Sequence, residues 1–181
     1  MRDWQKMAGL GLLILGLGGC ESAQRMAQSV PGAEHIPGLS KPAPVETTVP
    51  RQVPFPEQTY AALEKTGTAT IAGRLFYEHP EGGTVYGRGE RVSIAPVTEY
   101  SAEAAERALA GQRVEPADPR AQAYTHTATT DGRGYFSASG LPAGTFYVAG
   151  TVALPEGGRS PFILKQVRVR DGATAEVELA R

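Results

Sequence analysis

The 181-residue chain has no asparagine, one cysteine, one tryptophan and three histidines. The single cysteine, Cys20, excludes a disulfide within the chain. His79 and His126 stand in neither an H-x-H nor an H-E-x-x-H spacing, so a zinc site would lack ligands. Net charge is −1 without a basic cluster, which argues against nucleic acid. We therefore expect no metal, no cofactor and no nucleic-acid partner.

Long hydrophobic runs are also scarce. The apolar run at residues 7–17 follows a positively charged start and is shorter than the about 20 residues of a membrane-spanning helix. These features are typical of the hydrophobic region of a secretory signal. We expect a signal peptide over residues 1–19.

The signal ends in the residues Leu-Gly-Gly-Cys at positions 17–20, which resemble a bacterial lipobox. The resemblance implies cleavage between Gly19 and Cys20 and a diacylglyceryl group on the Cys20 thiol, hence a membrane partner through a lipid anchor. Glu21 follows in place of the aspartate that favours inner-membrane retention, so we expect an outer-membrane lipoprotein that faces the periplasm. The alternative is an ordinary signal followed by a free or disulfide-bonded cysteine.

Residues 20–66 are rich in proline and poor in large apolar residues. Such a segment buries too little surface to offset its ordering entropy, and proline favours an extended chain. We expect a disordered tether over 20–66. Seven prolines carry this prediction: Pro31, Pro37, Pro42, Pro44, Pro50, Pro54 and Pro56.

Residues 67–181 predict one all-β domain. Alternation at period two places Ala69, Ile71 and Leu75 on one face of a first strand. Short strands separated by turn residues continue to the end of the chain and predict an antiparallel β-sandwich, with a barrel as the alternative. Asp171-Gly172 predicts a hairpin that joins the last two strands.

An insertion at 98–121 interrupts this pattern. Residues 101–110 are strong helix formers, with Ser101 as the expected N-cap and Gly111 just past the end. We expect a short helix followed by a loop over 112–121.

The stretch 129–148 contains two turn signals between β-forming residues. Asp131-Gly132 with Gly134, and Pro142 with Gly144, supply residues suited to tight turns. Asp131 alone offers too few oxygen ligands for Ca²⁺, so we interpret it as a turn residue rather than a metal ligand.

Four short motifs together resemble the carboxypeptidase regulatory-like domain, a group similar to transthyretin and to Cna B-type repeats. They are the Ala-Gly-Arg-Leu of 72–75, the Val-Ser-Ile of 92–94, the Thr-Asp-Gly-Arg-Gly-Tyr-Phe of 130–136 and the Leu-Pro-Ala-Gly-Thr-Phe of 141–146. The resemblance implies a seven-stranded, Greek-key, prealbumin-like sandwich with structural, adhesive or carbohydrate-contacting roles. Phe146 stands where the family usually has tyrosine.

The enzymatic relatives of this group are not indicated. The closely spaced histidine pair of intradiol dioxygenases and the C-terminal Tyr-Arg-Gly-Ser of hydroxyisourate hydrolases are missing. Lys165 could donate to an isopeptide bond, but the chain has no asparagine acceptor. No nucleophile elbow or phosphate loop occurs. We therefore expect no catalytic residues; a hydrolase is the third hypothesis.

Two hypotheses about function are compatible with the sequence. The first is a structural adaptor that binds a protein partner in the cell envelope, and the second is a module that binds peptidoglycan or another polysaccharide. Aromatic side chains near loops would serve either purpose. Tyr86, Tyr100 and Tyr124 are the predicted binding surface.

Overall fold

The computed structural model describes residues 48–181, which all belong to one structural unit. Within this range the elements follow in chain order: β1 Thr48–Val49, α1 Glu57–Ala61, β2 Ala69–Glu78, β3 Thr84–Tyr86, β4 Arg91–Pro96, α2 Glu99–Leu109, β5 Arg113–Val114, α3 Pro119–Gln122, β6 His126–Thr129, β7 Tyr135–Leu141, β8 Gly144–Gly150, β9 Ile163–Val169 and β10 Thr174–Ala180.

Two four-stranded sheets form a sandwich. In sheet I, β2 pairs with β10 on one side and with both β7 and β3 on the other; sheet II has the order β6-β4-β8-β9. The predicted all-β sandwich is confirmed. The two sheets hold eight strands rather than seven because the short β3 pairs with the end of β2 beyond β7. The β10–β2 ladder is parallel, whereas the others in these sheets are antiparallel.

The core lies between the sheets and follows the predicted alternation. Ile71 and Leu75 of sheet I and Ile94 and Val148 of sheet II are completely buried. Gly73 lies on the same inward face of β2, where a Cβ atom would stand 2.1 Å from the carbonyl oxygen of Val177. The position therefore requires glycine for close strand packing.

The Asp131 turn carries the chain from one sheet to the other, because β6 lies in sheet II and β7 in sheet I. Asp131 Oδ1 accepts the backbone N–H groups of Arg133 (2.8 Å) and Tyr135 (2.9 Å). Gly134 has φ +85°, a conformation that L side chains rarely adopt. The interpretation of Asp131 as a turn residue is confirmed.

The predicted hairpin at Asp171-Gly172 is wrong. β9 pairs with β8 in sheet II, and β10 pairs with β2 in sheet I. A two-residue turn was compatible with a hairpin, but here the turn crosses the sandwich. The pairing partner of β10 is therefore distant in sequence, whereas β9 pairs with the preceding strand β8.

The insertion contains two helices and a short strand. Thr98, not Ser101, is the N-cap of α2; its side chain accepts the Ser101 N–H, and the Ser101 side chain accepts the Thr98 N–H in a capping box. Part of the predicted loop is ordered as β5 and α3. Asp118 caps α3 by accepting the Arg120 N–H.

The predicted tether boundary at residue 66 is corrected, because residues 48–66, here called the N-terminal segment, are folded. β1 pairs in parallel with β5 of the insertion. Tyr60 of α1 is 3 % exposed and packs with Tyr100 and Ala121. A few apolar side chains in a proline-rich sequence thus find partners on the insertion. The signal peptide, Cys20 and residues 20–47 lie outside the described residues.

Candidate functional site

The outer face of sheet I carries three aromatic side chains and one arginine. Because Ile71 and Leu75 point inward, the alternate residues Arg74 and Phe76 of β2 point outward. Cross-strand register places Tyr135 of β7 opposite Arg74 and Tyr86 of β3 opposite Phe76. We call Arg74, Phe76, Tyr86 and Tyr135 the aromatic patch.

Arg74 fills the gap between the two tyrosines. Its Cζ lies 3.8 Å from the Tyr86 ring centroid and 4.6 Å from the Tyr135 ring centroid, distances at which cation–π attraction operates. Its Nε donates to the Arg133 carbonyl oxygen at 2.9 Å. Phe76 meets Tyr86 edge to face, with centroids 6.2 Å apart. The patch is therefore fixed by contacts among its own members and by the bond from Arg74 to the Arg133 backbone.

The patch is open to solvent at one end. Tyr135 is 50 % exposed, while Phe76 and Tyr86 are half-buried. Ser137 follows on the same face of β7 and is exposed. An exposed ring beside hydroxyl and guanidinium groups offers an apolar stacking surface together with hydrogen-bond donors.

The charges around the patch are unevenly distributed. Arg88 and Arg133 lie in the adjacent loops at the β3 and β7 side, and both are exposed. Glu176 and Glu178 lie on β10, where Glu178 is the register partner of Arg74. The Asp131 carboxyl is held by the turn, and the backbone N–H of Tyr135, then that of Arg133, keeps its pKa below its usual range.

The predicted tyrosines do not form one surface. Tyr86 belongs to the aromatic patch. Tyr100 is 4 % exposed, and its hydroxyl accepts the Asp118 N–H at 2.9 Å, so the expectation that its ring is available to a ligand is wrong. It is buried because α2 turns it toward Tyr60, with ring centroids 6.3 Å apart.

Tyr124 lies apart from the patch, beside the N-terminal segment. It packs edge-on against Tyr60, with centroids 5.3 Å apart, and Lys65 Nζ lies 4.8 Å from its ring centroid. Its other neighbours form a groove of about 330 Å³ that includes Leu63, Phe146 and Gln166. Tyr124 is therefore half-buried and engaged by the protein itself.

The predicted binding surface does not include Arg74, Phe76 or Tyr135. A signal for them existed, since the alternation that buries Ile71 and Leu75 also places Arg74 and Phe76 outward. Their proximity to Tyr135 depends on the β2–β7 register, which the local sequence does not determine.

A second polar cluster attaches the N-terminal segment to α2. Glu103 is 8 % exposed and accepts the backbone N–H groups of Gln52 (2.7 Å) and Val53 (3.2 Å). These bonds, led by that of Gln52, lower the pKa of the Glu103 carboxyl. Arg51 lies 4.2 Å from the Tyr100 ring centroid and donates through Nε to the Glu115 carbonyl oxygen at 3.0 Å. The cluster is internally satisfied and holds the protein's own chain.

A solved relative aligns with about two thirds of this chain over nearly all of the relative's own length. The crystal structure of PA1324 from Pseudomonas aeruginosa, a candidate carbohydrate binding protein, has 30 % sequence identity and a TM-score of 0.59. The alignment covers 70 % of this chain and 97 % of that one. The chain belongs to the same family as PA1324. Membership of the PA1324 family agrees with the β-sandwich described above.

A second solved structure, a DUF3823 family protein from Parabacteroides merdae, has 15 % identity and a TM-score of 0.37. The alignment covers 64 % of this chain and 46 % of that one, a likeness too small to bear on the PA1324 family. Neither protein-family models nor curated proteins match the chain. The resemblance to carboxypeptidase regulatory-like domains therefore stays a prediction.

His79 of this PA1324 family member contacts residues outside the aromatic patch. His79 Nε2 lies 3.4 Å from a Glu156 carboxylate oxygen. Over residues 48–181, no three histidine, cysteine, aspartate or glutamate side chains come together as a metal site would require. No helix in that range is both long and apolar enough to cross a membrane.

Proposed function

We propose that the protein is a non-enzymatic carbohydrate-binding module of the cell envelope, which presents the aromatic patch to a glycan. The observation that carries the proposal is the contact of Arg74 with both Tyr135 and Tyr86 on an open sheet face. The relationship to PA1324 supports it, because that relative is a candidate carbohydrate binding protein.

A sugar ring presents two kinds of surface to a protein. One face of a pyranose presents C–H groups, which pack on an aromatic ring, and its rim presents hydroxyl groups, which need hydrogen-bond partners. Tyr135 provides a ring that is 50 % exposed. Ser137 and the guanidinium of Arg74 provide polar partners beside it.

The location of the module follows from the predicted anchor. A lipid on Cys20 would hold the chain at a membrane, which we propose is the outer membrane with the domain facing the periplasm. Because residues 48–66 are folded, 27 residues separate Cys20 from β1. Their covalent reach is at most about 100 Å. A glycan within that distance of the membrane is accessible to the patch.

The test is binding of the purified protein to immobilised envelope glycan, measured as affinity. Tyr135→Ala removes the most exposed ring and should weaken binding about tenfold. Tyr147→Ala is the matched control, because Tyr147 is a half-buried tyrosine on the outer face of sheet II. It should leave the affinity unchanged.

The adaptor hypothesis from the sequence gives different results in the same test. An adaptor would not be retained on purified glycan, and in intact cells crosslinking would capture one protein instead. Failure of the wild-type protein to bind any envelope glycan would overturn the proposal. Equal losses for Tyr135→Ala and Tyr147→Ala would show that the patch is not the site.

A further inference from the structure

We infer that the glycan bound by the patch carries carboxylate groups, and that the Arg74 guanidinium binds them. This inference rests on the proposed function and deepens it, because it assigns the chemical class of the sugar. The carboxylate can belong to a uronic acid or to the peptide or lactyl groups of peptidoglycan. The experiment below separates these sources.

Arg74 is held in place while four of the five N–H donors of its guanidinium stay unused. Its Cζ lies within cation–π distance of both the Tyr86 and the Tyr135 ring, and its Nε donates to the Arg133 carbonyl oxygen. Within residues 48–181 neither Nη group has a hydrogen-bond or ion-pair partner. The free edge of a guanidinium matches a carboxylate in a bidentate pair.

The unused donors are notable because an acid stands on the neighbouring strand. Glu178 is the register partner of Arg74 on β10, yet no ion pair within 4.0 Å joins them in the described chain. The stacking contacts draw Arg74 toward β3 and β7 instead. The arginine is therefore fixed in place by neutral groups, and its charge is not neutralised by a direct partner.

Two further arginines extend the positive side of the patch. The loops that carry Arg88 and Arg133 are joined by the hydrogen bond from Gly89 N–H to the Thr130 carbonyl oxygen, at 3.2 Å. Both arginine side chains are exposed. Two acids lie near this side: Asp131, whose Oδ1 accepts two backbone N–H groups of the turn, and the exposed Glu78, two residues beyond Phe76 on β2. A ligand carboxylate meets predominantly positive charge on this side.

The opposite side of the same face is acidic. Glu176 and Glu178 on β10 are exposed, so a carboxylated glycan is attracted to the β3 and β7 side and repelled from the β10 side. This arrangement orients the chain on the sheet. It also predicts that removing one of these acids strengthens binding of an anionic glycan.

The experiment uses the full-length protein in detergent and two polymers with one backbone. The probes are polygalacturonate and the neutral polymer made from it by reduction of its carboxyl groups. We expect the wild-type protein to bind the reduced polymer about tenfold more weakly than polygalacturonate. In Arg74→Gln, both polymers should bind with the affinity that the wild type has for the reduced polymer. Arg168→Gln, at an exposed arginine on β9, is the matched control and should keep the difference.

A second variant tests the role of charge without changing any member of the aromatic patch. Glu178→Gln leaves Arg74 and its stacking rings intact and should raise the affinity for polygalacturonate about threefold while leaving the neutral polymer unchanged. Intact sacculi and sacculi with amidated carboxyl groups form the peptidoglycan arm. Preference for intact sacculi over polygalacturonate would assign the carboxylate to peptidoglycan.

The outcomes separate this inference from the proposed function. Equal binding of the acidic and reduced polymers, with Tyr135→Ala still harmful, would overturn the carboxylate assignment and keep the glycan site. Binding of neither polymer nor sacculi would overturn both. The assignment would also be overturned if Arg74→Gln weakened the affinity for both polymers by the same factor and Glu178→Gln changed neither affinity.

Discussion

Replacing Glu103 with glutamine should release the N-terminal segment from α2. The carboxylate accepts the backbone N–H groups of Gln52 and Val53 at 2.7 and 3.2 Å. Glutamine has the same shape but only one acceptor oxygen, and its NH₂ group faces one of the two donors. One donor then loses its protein partner at a partly buried site.

The magnitude follows from the hydrogen bonds. A bond to a charged acceptor contributes about 1.5–3 kcal/mol net, so losing one should cost about 2 kcal/mol in the free energy that holds the segment. That value corresponds to roughly 30-fold faster amide exchange at Gln52 and Val53, if the segment opens without unfolding the sandwich. Glu106→Gln is the control, because Glu106 is exposed on the same helix.

The effect of this variant depends on pH in a defined direction. The pKa of Glu103 is lowered in the folded protein, mainly by the Gln52 N–H. The carboxylate therefore contributes its full stabilisation above the ordinary carboxyl pKa, and that stabilisation is lost as pH falls through the lowered value. The difference between wild type and Glu103→Gln should be largest at neutral pH and shrink in acid.

Hydrogen exchange followed by NMR measures both effects on the same amides. Faster exchange should be confined to the N-terminal segment, while the core amides of β2 and β4 keep their protection. Unchanged exchange at Gln52 and Val53 in the variant, or an equal effect in Glu106→Gln, would refute the role assigned to this carboxylate.

Three further predictions concern the core, the aromatic cluster and the anchor. Gly73→Ala places a Cβ 2.1 Å from the Val177 carbonyl oxygen and should lower the free energy of unfolding, measured in urea, by about 3 kcal/mol. In the control Gly132→Ala the added Cβ meets no atom within 4 Å, so the loss should be under about 0.5 kcal/mol. Equal urea midpoints for the two variants would contradict this. Tyr100→Phe removes a buried hydroxyl that accepts a backbone N–H, and should lower stability by about 1–2 kcal/mol; an unchanged melting curve would argue against it. Cys20→Ala should abolish fatty-acid labelling and release the protein from the membrane fraction, and retention after carbonate washing would disprove the anchor.

Local sequence patterns predicted the strands well because alternation is a property of neighbours. On β2 the inward positions Ala69, Ile71 and Leu75 are all fully buried, as expected from period two. The Asp131 turn was equally predictable, because an aspartate bonds to the backbone two residues ahead. These features need no knowledge of distant residues.

Pairing between strands was less predictable, because it depends on contacts that are distant in sequence. β10 pairs with β2, about 100 residues earlier, and not with the adjacent β9. A two-residue turn at Asp171-Gly172 fits a hairpin and a crossing between sheets equally well. The same limit applies to the patch, where Tyr86 was selected but its neighbours on β2 and β7 were not.

In the N-terminal segment, a few specific contacts order a chain whose composition predicts disorder. Proline density predicts disorder, yet Phe55 and Tyr60 bury their rings against Tyr100, which lies 40 or more residues later. Glu103 and Arg51 add polar contacts across a similar separation. None of these partners is visible in the segment's own sequence, so the boundary at 66 could not have been corrected from composition.

The position of this segment bears on how an anchored protein could use the patch. The insertion that holds it joins β4 to β6, both strands of sheet II, and Val97 N–H donates to the Thr145 carbonyl oxygen of β8 at the start of the insertion. The patch faces outward from sheet I, where Tyr135, Ser137 and Glu178 remain exposed. The chain therefore enters the domain through sheet II, and no described residue upstream of the sandwich covers the patch. Within residues 48–181, the N-terminal segment is thus held by the insertion on sheet II, and the face of sheet I proposed for glycan binding keeps these exposed residues.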